Sequence, residues 1–207
     1  MKLGKLTFLR KLLFNKYLLK IIKSYINAVH ENEIRRIRQS FQSIGSVSFI
    51  NYPCTVTNPQ NISIGKNFHS GHHLRLDAIT EHAGNIYNPI IVIGDYVSME
   101  SNCHIGSINK IHIGNNVLIA SNVFISDHLH GDTNGTYNNL IPFNRPLVSK
   151  GPIIIEDNVW IGEGVCILAG VNIGMNSIIG ANAVVTKDVP INSVVGGIPA
   201  RIIKTLK

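Results

Sequence analysis

The side chains best suited to chemistry lie together in the segment Asp127-His128-Leu129-His130-Gly131. Two histidines at positions i and i+2 of an extended chain point to the same side. An imidazole has an ordinary pKa of about 6.5, so it accepts protons readily at neutral pH. His128 and His130 are therefore candidate bases for proton transfer. Asp127 either orients one of these rings or caps a turn, and the sequence leaves both roles open.

The remaining histidines and the cysteines belong to no motif, and we expect them to be surface or packing residues. These histidines are His30, His69, His72, His73, His82, His104 and His112. Of them, the adjacent pair His72-His73 is a weaker candidate for lining a substrate site. The three cysteines are widely spaced and form neither a CxxC pair nor a disulfide framework, which is typical of a reducing compartment. We predict no metal site.

An aliphatic side chain recurs every six residues over much of the chain. The longest run extends from Ile155 to Ile191, and two shorter runs are separated by a slip of two residues. The positions are Ile93, Met99, Ile105, Ile113, Ile119, Ile125, Ile155, Ile161, Ile167, Ile173, Ile179, Val185 and Ile191. A fixed period of this kind indicates stacked structural units.

Glycine or asparagine recurs three residues after the aliphatic position, and valine often follows one residue later. Glycine and asparagine tolerate the positive φ that a sharp corner needs. A six-residue period with turn chemistry in each unit fits neither an amphipathic helix nor a hairpin. It predicts an all-β fold, a parallel β-helix in which three repeats form one coil of about 18 residues. The aliphatic side chains point inward and the small residues fill the corners.

The repeat stops between Ile125 and Ile155, in a polar segment rich in glycine, asparagine and proline. A long loop inside a strict repeat usually carries function. We predict that residues 126–152 form a loop extruded from the β-helix, with Asp127 and His128 at its start.

The charge of the protein is concentrated near its N-terminus. The 207 residues have a net charge of +7. Residues 1–40 contain ten basic and two acidic side chains, a net charge of +8, whereas the rest of the chain contains nine basic and ten acidic ones. The body is therefore nearly neutral, and a nucleic-acid partner is not expected.

Residues 1–45 are predicted to form a basic amphipathic helical arm, because apolar side chains recur there at three- and four-residue steps. Lysines interrupt every apolar run, which argues against a membrane-spanning helix and against a signal peptide. The charge pattern favours an interfacial helix that binds an anionic membrane through residues 1–40. The alternative is a helix packed on the body or on a neighbouring subunit.

The repeats carry a family resemblance. The chain resembles the hexapeptide-repeat acyltransferases, and their acetyltransferase branch in particular, in the hexads IGDYVS, IGNNVL, IASNVF, IEDNVW, IGEGVC, IGMNSI and IGANAV and in the closing run VVTKDVPINSVVGGIPARIIK. The likeness covers about residues 56–204, within an expected acetyltransferase domain at 46–204. It implies a left-handed parallel β-helix, an exception to the right-handed crossover rule. It also implies a homotrimer with active sites between subunits, and acetyl-CoA as the acetyl donor.

The same resemblance assigns roles to residues. It implies that His128 is the general base, with His130 as the second candidate, and that the backbone N–H of Gly162 or Glu163 stabilises the oxyanion. The residues expected along acetyl-CoA are Trp160, Gly162, Glu163, Ala181, Thr186, Lys187, Arg201 and Lys204. No nucleophilic serine or cysteine motif accompanies the histidines, so we expect direct transfer to the acceptor.

We therefore expect a cytoplasmic O-acetyltransferase, peripheral on the inner face of the cytoplasmic membrane, that modifies a sugar hydroxyl of a capsule, O-antigen or exopolysaccharide unit. The alternative within the family is an antibiotic acetyltransferase of the chloramphenicol or streptogramin type. A γ-class carbonic anhydrase shares this fold, but it uses an H-x4-H pair where this chain has H-x-H. A non-catalytic scaffold is the remaining alternative.

Overall fold

A computed structural model describes residues 16–207, and the first part of the predicted arm, residues 1–15, lies outside the described residues. The chain separates into two compact units between residues 39 and 40. Helix α1, Lys16–Ser40, accounts for the described part of the first unit, so the predicted N-terminal helix is present. None of its side chains is buried. Within residues 16–207, no helix is both long and apolar enough to cross a membrane.

The second unit is built from three parallel sheets, A, B and C, which the chain visits in turn. Sheet A contains β1 (Ser43–Ile44), β4 (Ile62–Ile64), β9 (Ile90–Ile93), β12 (Lys110–Ile113), β17 (Ile153–Ile155) and β20 (Asn172–Ile173). Sheet B contains β2 (Phe49–Ile50), β5 (His69–Ser70), β10 (Ser98–Met99), β13 (Leu118–Ile119), β18 (Trp160–Ile161), β21 (Ile178–Ile179), β23 (Ser193–Gly196) and β24 (Arg201–Thr205), the last strand being antiparallel. Sheet C contains β3 (Cys54–Thr57), β6 (Leu74–Ala78), β11 (His104–Ser107), β14 (Phe124–Ser126), β19 (Cys166–Leu168) and β22 (Val184–Val185). The architecture is the predicted parallel β-helix.

Two insertions leave this β-helix, both after strands of sheet C. The first insertion, residues 79–89, contains the hairpin β7 (Glu81–His82) and β8 (Asn85–Ile86). The second insertion, residues 127–152, contains β15 (Leu129–His130) and β16 (Leu147–Val148), which pair antiparallel, and a short 3-10 turn at Pro142–Asn144. The two ends of the segment predicted as a loop thus pair with each other and form one two-stranded ribbon.

The core is the predicted aliphatic column, and the small residues after it fill the corners. Of the repeat positions, those from Ile93 to Val185 are buried, as are the corner valines from Val97 to Val189. Ile191, the last predicted position, is an exception, because its side chain is 60% exposed. The prediction for Ile191 was wrong because the last coil is short, so that Val189 takes the place beside Ile173.

The predicted coil length occurs only once in the ladder of sheet A, where Ile155 pairs with Ile173. An earlier coil is longer by two positions, since Ile93 pairs with Ile113. The coil from Ile64 to Ile93 is longer still because it contains the first insertion, and the coil from Ile113 to Ile155 contains the second. The two-residue slip in the sequence is therefore the difference between the coil that ends at Ile113 and the regular one.

Asparagines turn the corners with positive φ, as the repeat predicted. Asn158 has a φ of 60° and lies in the middle of a ladder of amide hydrogen bonds from Asn116 to Asn158, Asn176 and Asn192. Each side chain bonds to its equivalent in the next coil. The corners are thus held both by backbone conformation and by side-chain bonds between coils.

Candidate active site

The Asp127 carboxylate is fully buried and is surrounded by hydrogen-bond donors. Its Oδ1 accepts from the backbone N–H of Ile108 at 2.9 Å, and its Oδ2 accepts from Ser107 Oγ at 2.6 Å and from the N–H of Asn109 at 3.0 Å. His128 Nδ1 lies 3.2 Å from Oδ1. Asp127 therefore fills both roles that the sequence left open, since it fixes a turn and also orients an imidazole.

The turn that Asp127 fixes lies where the hexad repeat slips by two residues. Strand β11 ends at Ser107, and Lys110 begins β12, so Ile108 and Asn109 are the residues that carry the chain around the corner. Their N–H groups point to Asp127 in the next coil. The irregularity in the sequence thus builds the cradle that holds the carboxylate beside His128.

The Asp127 carboxyl is held in its ionised form. Burial raises the pKa of a carboxyl group, but the hydrogen bonds from His128, Ser107, Ile108 and Asn109 outweigh it and keep the pKa of Asp127 below its usual value. A carboxylate can only accept hydrogen bonds, so Nδ1 of His128 must carry the proton.

His128 is positioned as a base whose other nitrogen is available. Its side chain is 12% exposed, and Ser126 Oγ also lies 3.3 Å from Nδ1. Because Nδ1 is protonated, Nε2 carries the lone pair of the neutral ring, and no residue among 16–207 forms a hydrogen bond with it. This is the arrangement of a base whose orientation is fixed by a buried carboxylate.

His130 lies in β15 and contacts the first insertion. Its ring packs edge-on against His82 with 4.9 Å between centroids, and His82 in turn packs against Phe143. Tyr87 Oη accepts the backbone N–H of Leu147 at 2.8 Å, which joins the two insertions a second time. Burial and the charges of His82 and His128 lower the pKa of His130. His130 therefore belongs to the packing between the insertions, next to the His128 site.

Sheet C carries a second histidine and aspartate pair in the neighbouring coils. His104 Nε2 lies 3.1 Å from Oδ2 of Asp77, which is almost fully buried. The expectation that His104 is a packing residue is correct for its contact with Phe124, but it missed this pair. His72 and His73, the weaker candidates, lie away from His128 in sequence and are exposed, and His72 Nδ1 bonds to the carbonyl of Tyr52.

The residues expected along acetyl-CoA fall into three groups. Gly162, Glu163 and Ala181 lie at the edge where the chain passes from sheet B to sheet C. Thr186 and Lys187 follow β22 at the opposite edge of sheet C, and Trp160, Arg201 and Lys204 are exposed on sheet B. His128, which follows β14, lies on the same edge as Lys187. One chain therefore does not bring His128 together with Gly162 and Glu163.

The two candidate oxyanion donors are not equivalent. The N–H of Gly162 donates to the carbonyl of Ile179 at 2.8 Å, as part of the β-helix ladder. The N–H of Glu163 forms no hydrogen bond with any residue from 16 to 207. Gly162 also allows close packing of coils, because a Cβ there would lie 2.7 Å from the backbone nitrogen of Ala181. Glu163 is thus the available donor.

Comparison with known proteins agrees with this fold. Residues 152–187 match the bacterial transferase hexapeptide (six repeats) family. Over 159 residues the chain is 36% identical to the putative lipopolysaccharide biosynthesis O-acetyl transferase WbbJ of Escherichia coli K12, covering 75% of this chain and 77% of that protein. This chain is a hexapeptide-repeat acetyltransferase.

Solved structures of other hexapeptide-repeat acetyltransferases have the same fold. A maltose O-acetyltransferase from Clostridium difficile 630 is 31% identical, with a TM-score of 0.58 over 86% of this chain and 76% of that one. A galactoside acetyltransferase in complex with coenzyme A is also 31% identical, with a TM-score of 0.54 over 86% of this chain and 71% of that one. The left-handed β-helix that the family resemblance implied is therefore confirmed, and the chain is an acyl-transferring enzyme.

The acetyltransferase site contains features that the sequence did not reveal. Ser107, Asp77 and His104 reach it through pairings between coils, so nothing in the local sequence marks them. The first insertion is a similar case, because residues 79–89 do not interrupt an obvious run of hexads. Among residues 16–207, no group of three His, Cys, Asp or Glu side chains is arranged to hold a metal ion.

Proposed function

We propose that this acetyltransferase transfers the acetyl group of acetyl-CoA to a sugar hydroxyl, with His128 as the general base. The observation that carries the proposal is the pair of His128 and the buried, ionised Asp127, 3.2 Å apart. The carboxylate favours the tautomer that carries its proton on Nδ1, and this leaves Nε2 to accept a proton. A sugar hydroxyl is a weak nucleophile, so a base of this kind is what the reaction requires.

The expected reaction is a direct transfer. Nε2 of His128 removes the hydroxyl proton while the oxygen attacks the thioester carbonyl carbon, and the developing oxyanion accepts a hydrogen bond from the N–H of Glu163. The C–S bond then breaks, and the CoA sulfur accepts the proton from the imidazolium of His128. The products are the acetyl ester and free CoA.

We infer that the active enzyme is a homotrimer. Within one chain, His128 and Glu163 lie at opposite edges of sheet C, although the proposed reaction needs both at one carbonyl group. A neighbouring copy that presents its Glu163 edge to His128 would satisfy this need. Active sites between subunits are therefore the arrangement that the proposal requires.

Acetyl-CoA is proposed to lie along the edges of the β-helix. The galactoside acetyltransferase with coenzyme A supports this co-substrate. Ala181 is small enough to admit the thioester arm, and the exposed Trp160 offers an aromatic surface beside it. Lys187, Arg201 and Lys204 would pair with the phosphates, with Thr186 as a neutral donor.

The proposed acceptor is a unit of a bacterial surface glycan. The similarity to a lipopolysaccharide biosynthesis O-acetyl transferase supports this class over an antibiotic. Helix α1 supports a location on the inner face of the cytoplasmic membrane, because Lys16, Lys20 and Lys23 accompany large apolar side chains that are exposed. In this proposal residues 1–45 are the membrane arm and residues 46–204 the acetyltransferase domain.

A thiol-release assay with acetyl-CoA tests the acceptor class. We expect sugars or nucleotide sugars to release CoA and chloramphenicol to release none, whereas a preference for chloramphenicol would overturn the glycan assignment. Sedimentation with phosphatidylglycerol-containing vesicles tests the arm. A protein that lacks residues 1–39 should stay in the supernatant, and equal sedimentation of both forms would contradict the membrane role.

A further inference from the structure

Gly106 lies in the outer face of sheet C beside His128, where neighbouring side chains cover it. In the parallel register Gly106 stands between Asp77 on one side and Ser126 on the other. A Cβ at Gly106 would lie 3.3 Å from Cε1 of His128 and 3.5 Å from Nε2 of His104. The two imidazole rings therefore pack close to each other over Gly106, where a larger residue would meet both.

His104 is tied to a buried carboxylate as His128 is, but through Nε2 instead of Nδ1. Asp77 is 4% exposed and accepts hydrogen bonds from Thr57 Oγ1 at 2.8 Å and from His104 Nε2 at 3.1 Å. Arg75 Nε forms an ion pair with the same carboxylate. Burial opposes ionisation of Asp77, but the bonds from His104 and Thr57 and the charge of Arg75 keep its pKa below the usual value.

An ionised Asp77 requires a proton on Nε2 of His104, so Nδ1 carries the lone pair of the neutral ring. Nδ1 forms no hydrogen bond with any residue from 16 to 207. Each of the two rings over Gly106 thus has one nitrogen held by a buried aspartate and the other without a hydrogen-bond partner among residues 16–207. His128 has the available nitrogen at the reacting position, and the reaction described above gives His104 no task.

We propose that His104 is a second acceptor-binding residue, which accepts a hydrogen bond from the hydroxyl next to the one that is acetylated. The inference rests on the proposed function, and it narrows the acceptor to a sugar with two adjacent free hydroxyls at the modified position. The sugar lies over the two partly exposed rings, with one hydroxyl at His128 and its neighbour at His104. Asp77 is a positioning residue, since it fixes the ring that contacts the sugar.

The test compares the wild-type enzyme with His104→Gln. A glutamine amide can still donate to Asp77, but it removes the ring nitrogen proposed to bind the sugar. The probes are methyl β-D-galactopyranoside and its four monodeoxy analogues in the thiol-release assay. We expect the wild-type kcat/KM to fall about tenfold on an analogue that lacks only the neighbouring hydroxyl. His104→Gln should lose about tenfold on the parent glycoside and nothing further on that analogue.

Two results would overturn the inference. One is a His104→Gln enzyme with unchanged kcat/KM on the parent, and the other is an equal loss on the parent and on every analogue, because a merely structural role predicts a uniform effect. His112→Gln, on the outer face of sheet A, is the matched control and should behave as wild type.

A measurement without turnover keeps the inference separate from the proposed reaction. With 15N-labelled histidine and CoA present, the galactoside should shift the ring nitrogen signals of both His104 and His128. No shift at His104 would contradict the inference, whatever the rate of transfer. If His128 proves unnecessary for thiol release, the proposed function fails instead, and the His104 signal still decides whether this residue binds sugar.

Discussion

Ser107 donates its hydroxyl hydrogen to Asp127 across 2.6 Å, from one coil of the β-helix to the next. Ser107 ends β11, where the coil carries two extra residues, and Asp127 follows β14 directly above it. The extra residues supply two further N–H donors to the same carboxylate. The candidate base therefore depends on a local departure from the repeat, and the regular coils around it make that departure rigid.

Replacing Ser107 by alanine should weaken the fold and slightly weaken catalysis. Asp127 would lose one of its donors, which costs about 1.5–3 kcal/mol for a bond to a charged group. The bond to His128 remains, so we expect kcat to fall less than about tenfold. Urea unfolding and thiol release measure the two effects. Ser63→Ala is the control, because its bond to Gln42 is exposed and should contribute little; equal losses in both variants would contradict this account.

Asp127→Asn should damage catalysis more than stability alone explains. An amide has one oxygen, so it cannot both accept from the N–H groups and hold the proton on Nδ1 of His128. We expect kcat to fall at least about a hundredfold, in line with the loss of an oriented base. Asp132→Asn, the same change at an exposed carboxylate of the second insertion, should leave kcat near that of wild type. A folded Asp127→Asn enzyme with kcat near that of the wild type would refute the orienting role.

The stability of the protein should fall in acid because of Asp127. Its pKa in the folded protein is below its usual value of about 3.9, so the folded state favours the ionised form. This stabilisation is present above the unfolded pKa and is lost as pH falls through the folded pKa. The free energy of unfolding should therefore differ most between wild type and Asp127→Asn above about pH 4, and the difference should shrink at lower pH. Urea titrations between pH 7 and pH 3 measure it, and a difference that does not change with pH would count against an ionised Asp127.

Substitutions at Asn158 distinguish the contribution of the backbone conformation to stability from that of the side-chain hydrogen bonds. Asn158→Gly keeps the positive φ easily but removes the amide bonds to Asn116 and Asn176. Asn158→Ala removes the same bonds but keeps a β-carbon in the left-handed region, which costs about 1–2 kcal/mol relative to the glycine variant. We expect thermal midpoints in the order wild type, glycine variant, alanine variant. An alanine variant as stable as the glycine variant would show that the backbone conformation contributes nothing at this corner.

The sequence predicts the β-helix well because each repeat contains both the inward-facing residue and the corner residue. An aliphatic residue marks the inward position, and an asparagine or glycine marks the corner within the same hexad. Ile191 misled because its hexad spacing continues although the regular coil does not: the coil shortens so that Val189 pairs with Ile173. Which residue faces inward at Ile191 or Val189 depends on the pairing between coils, and the spacing along the chain does not reveal this pairing.

The candidate site is predictable only where its residues are neighbours in sequence. Asp127 and His128 are adjacent, and the end of the repeat marks their position. His104 and Asp77 come together across the coil that contains the first insertion, and the length of that insertion sets their register. The hexad repeat does not reveal the hairpin in residues 79–89. The register of β6 and β11, which brings His104 to Asp77, was therefore not predictable from the sequence.

The central claim is that His128 is the base of acetyl transfer, and one measurement tests it most directly. The thiol-release rate of His128→Asn is compared with that of wild type on the same sugar acceptor, and binding of acetyl-CoA by each protein is measured by calorimetry. The account predicts a loss in kcat of at least about a hundredfold with acetyl-CoA affinity nearly unchanged. A His128→Asn enzyme that binds acetyl-CoA and retains the wild-type kcat would contradict it.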